Sequence, residues 1–380
     1  MEYNWDSQDF YKRIQKATTI VENEDNFEKK FYDLYLIDEM NALYYNYFFA
    51  QQQENESNET LFNNCVYSLI NYDRYVPFIA SSFESFKAYN TKVDKIQKFF
   101  KKNIKKLEER KKIQISHEEK LILMYEFFKQ LDPELFTFFQ KIYETRKTNI
   151  CFVNSKAHVG RSDCLSLAIV NESFLTICDD NSIDVFPNLA HECGHAVSFL
   201  MNPTVSYNQN KDFLIEVESF FIEILSIDYF SKLFNNKDFI IYQQELYSTM
   251  MTIGEALTIQ ELIVQTYLKN ERKRDHNFFK TLEQKSNITK NIYYNSIQAD
   301  FEHDGTYLLS FLTALELYHL YKTDKELALD YFKQIINCPS EKNRFILANQ
   351  YLNLGKNLDL YGKKTLANYA LELKRRATKW

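Results

Sequence analysis

Glycine and proline are scarce in this chain, with 6 and 5 copies in 380 residues. These two residues supply most turn and breaker chemistry, so their shortage argues for a mostly helical protein. No apolar run approaches the ~20 residues that a membrane span requires. The opening MEYNWDSQDF has neither the charged nor the apolar region of a secretory signal. A basic stripe of the kind nucleic-acid binding needs is also missing: the net charge is −6 and both signs are interspersed. The one short basic run, Lys101 to Lys106 with Arg110 to Lys112, reads as the solvated face of a helix. The six cysteines (65, 151, 164, 178, 193 and 338) include no C-x-x-C pair, so reduced thiols are expected rather than a disulfide framework. A soluble, cytoplasmic protein is expected, with neither membrane nor nucleic-acid partner.

Leu, Lys, Glu, Asn, Tyr and Phe abound in their place. At this length the chain can bury a large core and hold two lobes or domains. Phe27, Phe31, Leu34 and Ile37 mark a helical face that Met40, Leu43, Tyr44 and Phe48 continue. The polar stretch from Gln51 to Glu59 reads as a loop. Residues 61–90 read as a helix interrupted at Val76-Pro77, and Thr91 to Lys112 as a charged amphipathic helix. Residues 1–115 are therefore expected to form an N-terminal helical lobe, and residues 116–380 a second domain. Ser116 with Glu119 is a capping-box pattern that opens a new helix, and Asp132-Pro133-Glu134 opens the next.

The character then changes. Ile150 to Val153, Leu165 to Val170 and Phe174 to Cys178 are β-prone runs separated by turn chemistry. They predict one small sheet, feeding into a helix that Ser182 or Asp184 can cap, with Pro187 in its first turn and Asn202-Pro203 at its end. That helix carries His191-Glu192-Cys193-Gly194-His195. His191 and His195 lie one turn apart on the same face, so both imidazoles can reach one metal. Glu192, about a quarter-turn round, can take a proton from a metal-bound water without being a ligand. The bland alternative is a pair of satisfied core histidines with a solvated glutamate.

The residues after the motif bear on that choice. An apolar helix is predicted from Phe213 to Phe230, with Glu216 and Glu223 seven residues apart on one face. Carboxylates inside FLIEVESFFIEIL are costly to bury without a partner, which a metal and its surroundings would supply. Glu218, on another face, is expected to point to solvent. Glu216 as third ligand would complete a two-His, one-Glu site with an open water position. Further helices are predicted, including Gln243 to Leu268 and, after a break at Cys338-Pro339, the final segment. Between them, His303 and Tyr307 stand one turn apart and could donate hydrogen bonds to the oxyanion of a tetrahedral intermediate.

The run FLTICDDNSIDVFPNLAHECGH (Phe174 to His195) resembles the strand-turn-helix entry of the oligoendopeptidase F and thimet oligopeptidase family of zinc peptidases. Glu216 to Glu223 is similar to that family's E-x-x-S-x-x-x-E pattern, and the likeness extends upstream through Gly160 to Cys164. The resemblance implies that His191, His195 and Glu216 bind one zinc ion and that Glu192 activates water. It implies that Glu223 stands behind the ligands, and that His303 and Tyr307 stabilise the oxyanion. The implied fold is mainly α, with two helical lobes flanking a substrate channel and a small β-sheet next to the zinc helix. Three departures stand out: Ser198 where the family often has a further His, Phe311 where a Tyr is common, and a His303 that aligns only across a short deletion. The chain is also shorter than usual in the N-terminal lobe.

The expected activity is zinc-dependent endopeptidase cleavage of short unstructured peptides. The alternatives are a maturation peptidase dedicated to one leader or signalling peptide, which the short first lobe motivates, and a non-catalytic peptide-binding relative.

Overall fold

The computed structural model describes residues 7–25, 33–34, 37, 58–72, 100, 112–153, 162–202, 214–235, 237–297, 301–338, 344–354 and 369–376. The loop predicted over 51–59 and the helix predicted over 91–112 lie almost wholly outside them, as do most of the apolar positions from Phe27 to Phe48. In chain order the first helices are α1 (Ser7–Glu22), α2 (Asn58–Tyr72), α3 (His117–Leu131), α4 (Pro133–Glu144) and the short α5 (Arg146–Asn149). The expected capping box opens α3: Glu119 N–H donates to Ser116 Oγ at 3.2 Å, and Ser116 N–H donates to Glu119 Oε2 at 2.7 Å. Asp132 caps α4 by accepting from Glu134 N and Leu135 N, with Pro133 at the first helical position.

The three predicted strands form a three-stranded sheet of β1 (Ile150–Val153), β2 (Asp163–Leu167) and β3 (Glu172–Cys178), in the order β1-β3-β2. β1 runs parallel to β3, pairing Ile150 with Leu175, and β2 runs antiparallel, pairing Cys164 with Leu175. The second strand starts and ends earlier than its predicted span of Leu165 to Val170. Residues 168–171 turn instead, with Asn171 at φ 53°, so Ile169 and Val170 pack into the cluster beneath α1 rather than extend the strand.

Alternation along the strands divides their side chains between two cores. Ile150, Phe152, Leu175 and Ile177 enter the main core, whereas Cys151 and Phe174 enter the smaller cluster formed with Phe10, Ile14 and Val21 of α1. Burial on both faces explains why β3 reads as a nearly unbroken apolar run. Arg13 of α1 pairs with Glu172, which also accepts from Asn149 Nδ2 at 2.7 Å.

From β3 the chain passes to α6 (Val185–Met201), which packs on β2, β3 and the following helix, α7 (Val217–Phe234). The fold continues through α8 (Asp238–Lys269), α9 (His276–Ser286), α10 (Lys290–Ser296), α11 (Phe301–Thr323), α12 (Lys325–Ile336) and α13 (Arg344–Leu352), and residues 369–376 are helical. α7 packs between α6 and α11, and its residues from Val217 to Ile227 are all buried. The protein is mainly α, with its small sheet beside the helix that carries the two histidines. None of the six cysteines is in a disulfide. Among the described residues no helix is long and apolar enough to cross a membrane.

Candidate metal centre

The entry to α6 is a network rather than a single cap. Asp184 stands at the N-cap position without a side-chain cap bond, and its N–H donates to Ser182 Oγ at 3.3 Å. Just upstream, Asp179 is 6% exposed and pairs with Lys120, which is fully buried in α3. His117, stacked on Phe152 with ring centroids 4.2 Å apart, reaches the same carboxylate at 3.1 Å. Burial opposes ionisation of Asp179, but hydrogen bonds from His117 and Lys120 outweigh it and hold its pKa at about 2. This cluster fastens the end of β3, and so the start of α6, to α3.

Along α6 the i, i+4 spacing places His191 and His195 side by side, with ring centroids 5.2 Å apart. Gly194, on the side facing α7, lets the two helices meet backbone to backbone. An added Cβ there would lie 2.8 Å from both Glu218 O and Ser219 Cα. That closeness brings Glu216 to the histidines. Its Oε2 lies 3.3 Å from His191 Nε2 and 3.0 Å from His195 Nε2. His191, His195 and Glu216 each offer one donor atom, all within 4.8 Å of one another, and they form the one such set among the described residues.

Glu216 stands not inside the predicted helix but at the N-cap position of α7, where the chain turns. Ser219 Oγ lies 2.9 Å from both Glu216 O and Glu216 Oε2, and Glu216 N–H donates to Ser310 Oγ of α11 at 3.3 Å. Glu223, one face-repeat along α7, receives His191 Nδ1 on one oxygen at 2.8 Å and the Tyr242 hydroxyl on the other at 2.9 Å. Both nitrogens of His191 thus face carboxylates, and its orientation is determined.

Glu218 corrects the expectation of a solvent-facing side chain. It is 6% exposed, 3.5 Å from His195 Nδ1 and 3.4 Å from Arg344 Nη1. Helical periodicity assigns it a different face from Glu216, but α7 is buried all round and has no solvent face in that stretch.

The electrostatics follow from this crowding of carboxylates. Burial disfavours charge on His191, yet its bonds to Glu216 and Glu223 overcome that and raise its pKa to about 10. His195 moves up in the same way against burial, chiefly through Glu216. Glu216 moves down despite burial because both imidazoles face it. Glu192 behaves oppositely: burial raises its pKa to about 7, partly offset by His191 and His195. Burial also pushes the thiols of Cys164 and Cys178, on the neighbouring strands, up to about 12 and about 11. Near neutral pH they stay protonated in the metal-free protein.

The two proposed oxyanion donors are placed less completely. Tyr307 is half-buried on α11, its ring edge-on to Phe220 at 5.8 Å, and Phe220 is edge-on to His191 at 5.3 Å. His303 belongs to the first turn of α11, and its side chain falls outside the described residues. Phe311 is fully buried against Phe220 and Tyr369. Sequence reading missed Tyr242, Ser310 and Arg344, and it placed Ser219 in the E-x-x-S-x-x-x-E pattern without giving it a role. Only Ser219, three residues after Glu216, carried a local signal.

No protein-family model matches the chain, and no curated protein matches it by sequence. Solved structures do match it in fold. A protein from Chlamydophila abortus assigned as a peptidase aligns with a TM-score of 0.57 at 12% identity, over 83% of this chain and 61% of that one. A protein from Bacillus anthracis str. Ames assigned as an oligoendopeptidase F aligns at 0.50 and 14% identity, over 86% and 57% respectively. PZ peptidase A, solved with an inhibitor, aligns at 0.50 and 14%, over 86% and 59%. The chain therefore spans less than two thirds of the length of each. At these identities the likeness is one of architecture: this chain has the fold of the oligoendopeptidase F and PZ peptidase structures.

Proposed function

We propose that His191, His195 and Glu216 hold a zinc ion and that the protein is an endopeptidase for short, unstructured peptides. The observation that carries this reading is the convergence of two imidazole Nε2 atoms and one carboxylate oxygen within 4.8 Å, with Glu192 buried beside them. The donor set suits zinc, which takes nitrogen and oxygen ligands and leaves a position open in catalytic sites. It also suits a dication by charge. Glu192, Glu216, Glu218 and Glu223 are each no more than 7% exposed, and the site draws positive charge onto both histidines. A bound zinc ion supplies Lewis acidity, which acidifies water and polarises a carbonyl oxygen.

The chain's own residues do the rest. Glu192, buried next to His191, is placed to take the proton of the attacking water and to release it to the leaving amine. Glu223 and Tyr242 hold the His191 ring in one orientation, and Ser219 and Ser310 hold Glu216. Tyr307, with His303 one turn before it, donates to the developing oxyanion. Among the described residues strand β2 ends the sheet beside α6, and its outer edge can pair with an extended peptide.

The test is Glu192→Gln against a quenched peptide library, read by mass spectrometry alongside metal analysis. The variant should keep zinc and lose hydrolysis. Full cleavage by this variant, or a wild-type protein that takes up no zinc, would overturn the proposal.

A further inference from the structure

Glu218 is left without a task by the chemistry above, although it is a buried carboxylate beside a proposed ligand. Its two oxygens face different partners: Oε1 lies 3.5 Å from His195 Nδ1, and Oε2 lies 3.4 Å from Arg344 Nη1. Arg344 is 5% exposed, stands 126 residues away in sequence, and opens α13. Its other terminal nitrogen, Nη2, lies 3.4 Å from Ile336 O at the end of α12. One guanidinium thus spans the α12–α13 junction and the carboxylate behind His195.

The arrangement repeats what surrounds His191. Each histidine turns Nε2 toward Glu216 and Nδ1 toward a carboxylate. For His191 that carboxylate is held by the Tyr242 hydroxyl, and for His195 by Arg344. An acceptor at Nδ1 keeps the ring proton there and makes Nε2 the basic, metal-facing nitrogen. A carboxylate in this position needs a partner of its own, because burying an uncompensated charge is costly. The planar guanidinium presents separate nitrogens to the two acceptors in a rigid fork, whereas an ammonium offers its three donors from one point on a flexible stem.

We propose that Glu218 and Arg344 are positioning residues for His195, with Arg344 holding the Glu218 carboxylate against Nδ1 so that Nε2 is presented to the metal. This rests on the zinc reading above and extends it: metal affinity depends on the α12–α13 junction, far from the motif in sequence.

The test measures zinc affinity by competition with a chromophoric chelator, together with the cobalt(II) absorption spectrum and the melting of the metal-free protein. It uses wild type, Glu218→Gln, Arg344→Gln, Arg344→Lys and the Glu218→Gln/Arg344→Gln double variant. Glu218→Gln and Arg344→Gln should each weaken zinc about 10- to 100-fold and alter the cobalt spectrum. The double variant should bind no more weakly than the weaker single variant, since both act through one carboxylate, and Arg344→Lys should fall between wild type and Arg344→Gln. Losses that multiply in the double variant would overturn the proposal. So would an Arg344→Gln protein that melts lower without metal yet binds zinc as wild type does, since Arg344 would then serve structure alone. Should Arg344→Gln fail to fold, the near-isosteric Glu218→Gln and the charge-conserving Arg344→Lys decide: unchanged zinc affinity and spectrum in both overturns it. A wild-type protein that binds no zinc sinks the metal centre itself, whereas tight wild-type binding with unaffected variants sinks only the role of Glu218 and Arg344.

Discussion

Gly194 of α6 lies against the backbone of Ser219 in α7, so closely that a Cβ on Gly194 would stand 2.8 Å from Ser219 Cα. The neighbouring atoms are backbone and cannot swing aside, so any side chain must push the helices apart. Gly194→Ala should lower stability by about 1–3 kcal/mol, the usual cost of overpacking. It should also weaken zinc binding, because the same contact sets the 3.0 Å approach of Glu216 to His195. Thermal melts and chelator competition check both effects. A variant matching wild type in both would show that this approach does not control the site.

Removing metal should destabilise the protein by an amount that grows with the logarithm of free zinc over Kd. Binding to the folded state alone adds about 2.7 kcal/mol when free zinc is a hundredfold above Kd. A strong chelator should lower the melting temperature and added zinc should restore it. Glu216→Gln should abolish the zinc-dependent rise, since it removes a proposed ligand, while Glu192→Gln should keep it. Differential scanning calorimetry across a zinc titration separates the two variants.

Acid should loosen the link between α3 and the start of α6. Asp179 has a folded pKa of about 2, below the ordinary carboxylate value, so its contribution is fully present above about pH 4 and lost as pH falls toward 2. The shift corresponds to about 2 kcal/mol at neutral pH. Asp179→Asn should flatten this part of the pH–stability curve. It should also lower the neutral-pH plateau by about 3–5 kcal/mol, because Lys120 is then buried without its partner. Urea unfolding between pH 2 and 7 reads both, and an unchanged acid slope in Asp179→Asn would assign the slope to other carboxylates.

The features legible in sequence were those encoded over a few residues. The i, i+4 pair of His191 and His195, the capping box at Ser116 and Glu119, and the strands around Ile150 and Phe174 are all local patterns. Glu216 was found because a carboxylate stood out in an apolar run, although the helix there starts later than its periodicity suggests. Glu218 was misplaced for a related reason. Periodicity separates a core face from a solvent face, and α7 has core on every side over that stretch. Arg344 and Ser310 approach α7 from 126 and 94 residues away, and no local pattern records such contacts. Tyr242, one of 27 tyrosines, carried no distinguishing mark until its hydroxyl met Glu223.

A substitution at Tyr307 can separate the proposed oxyanion role from metal binding. Its ring packs edge-on against Phe220, which in turn packs against His191, so the aromatic body supports the site while the hydroxyl is the proposed oxyanion donor. Tyr307→Phe keeps the ring and removes only the hydroxyl. Melting temperature and zinc affinity should therefore stay at wild-type values, while kcat falls by roughly 10²–10³-fold, the usual cost of one oxyanion donor. KM should change little, because the lost bond strengthens only as the carbonyl oxygen becomes an anion. His303→Ala should show the same split if His303 shares the oxyanion. A Tyr307→Phe enzyme with wild-type kcat would confine Tyr307 to packing, and a rise in KM at constant kcat would make it a substrate contact instead.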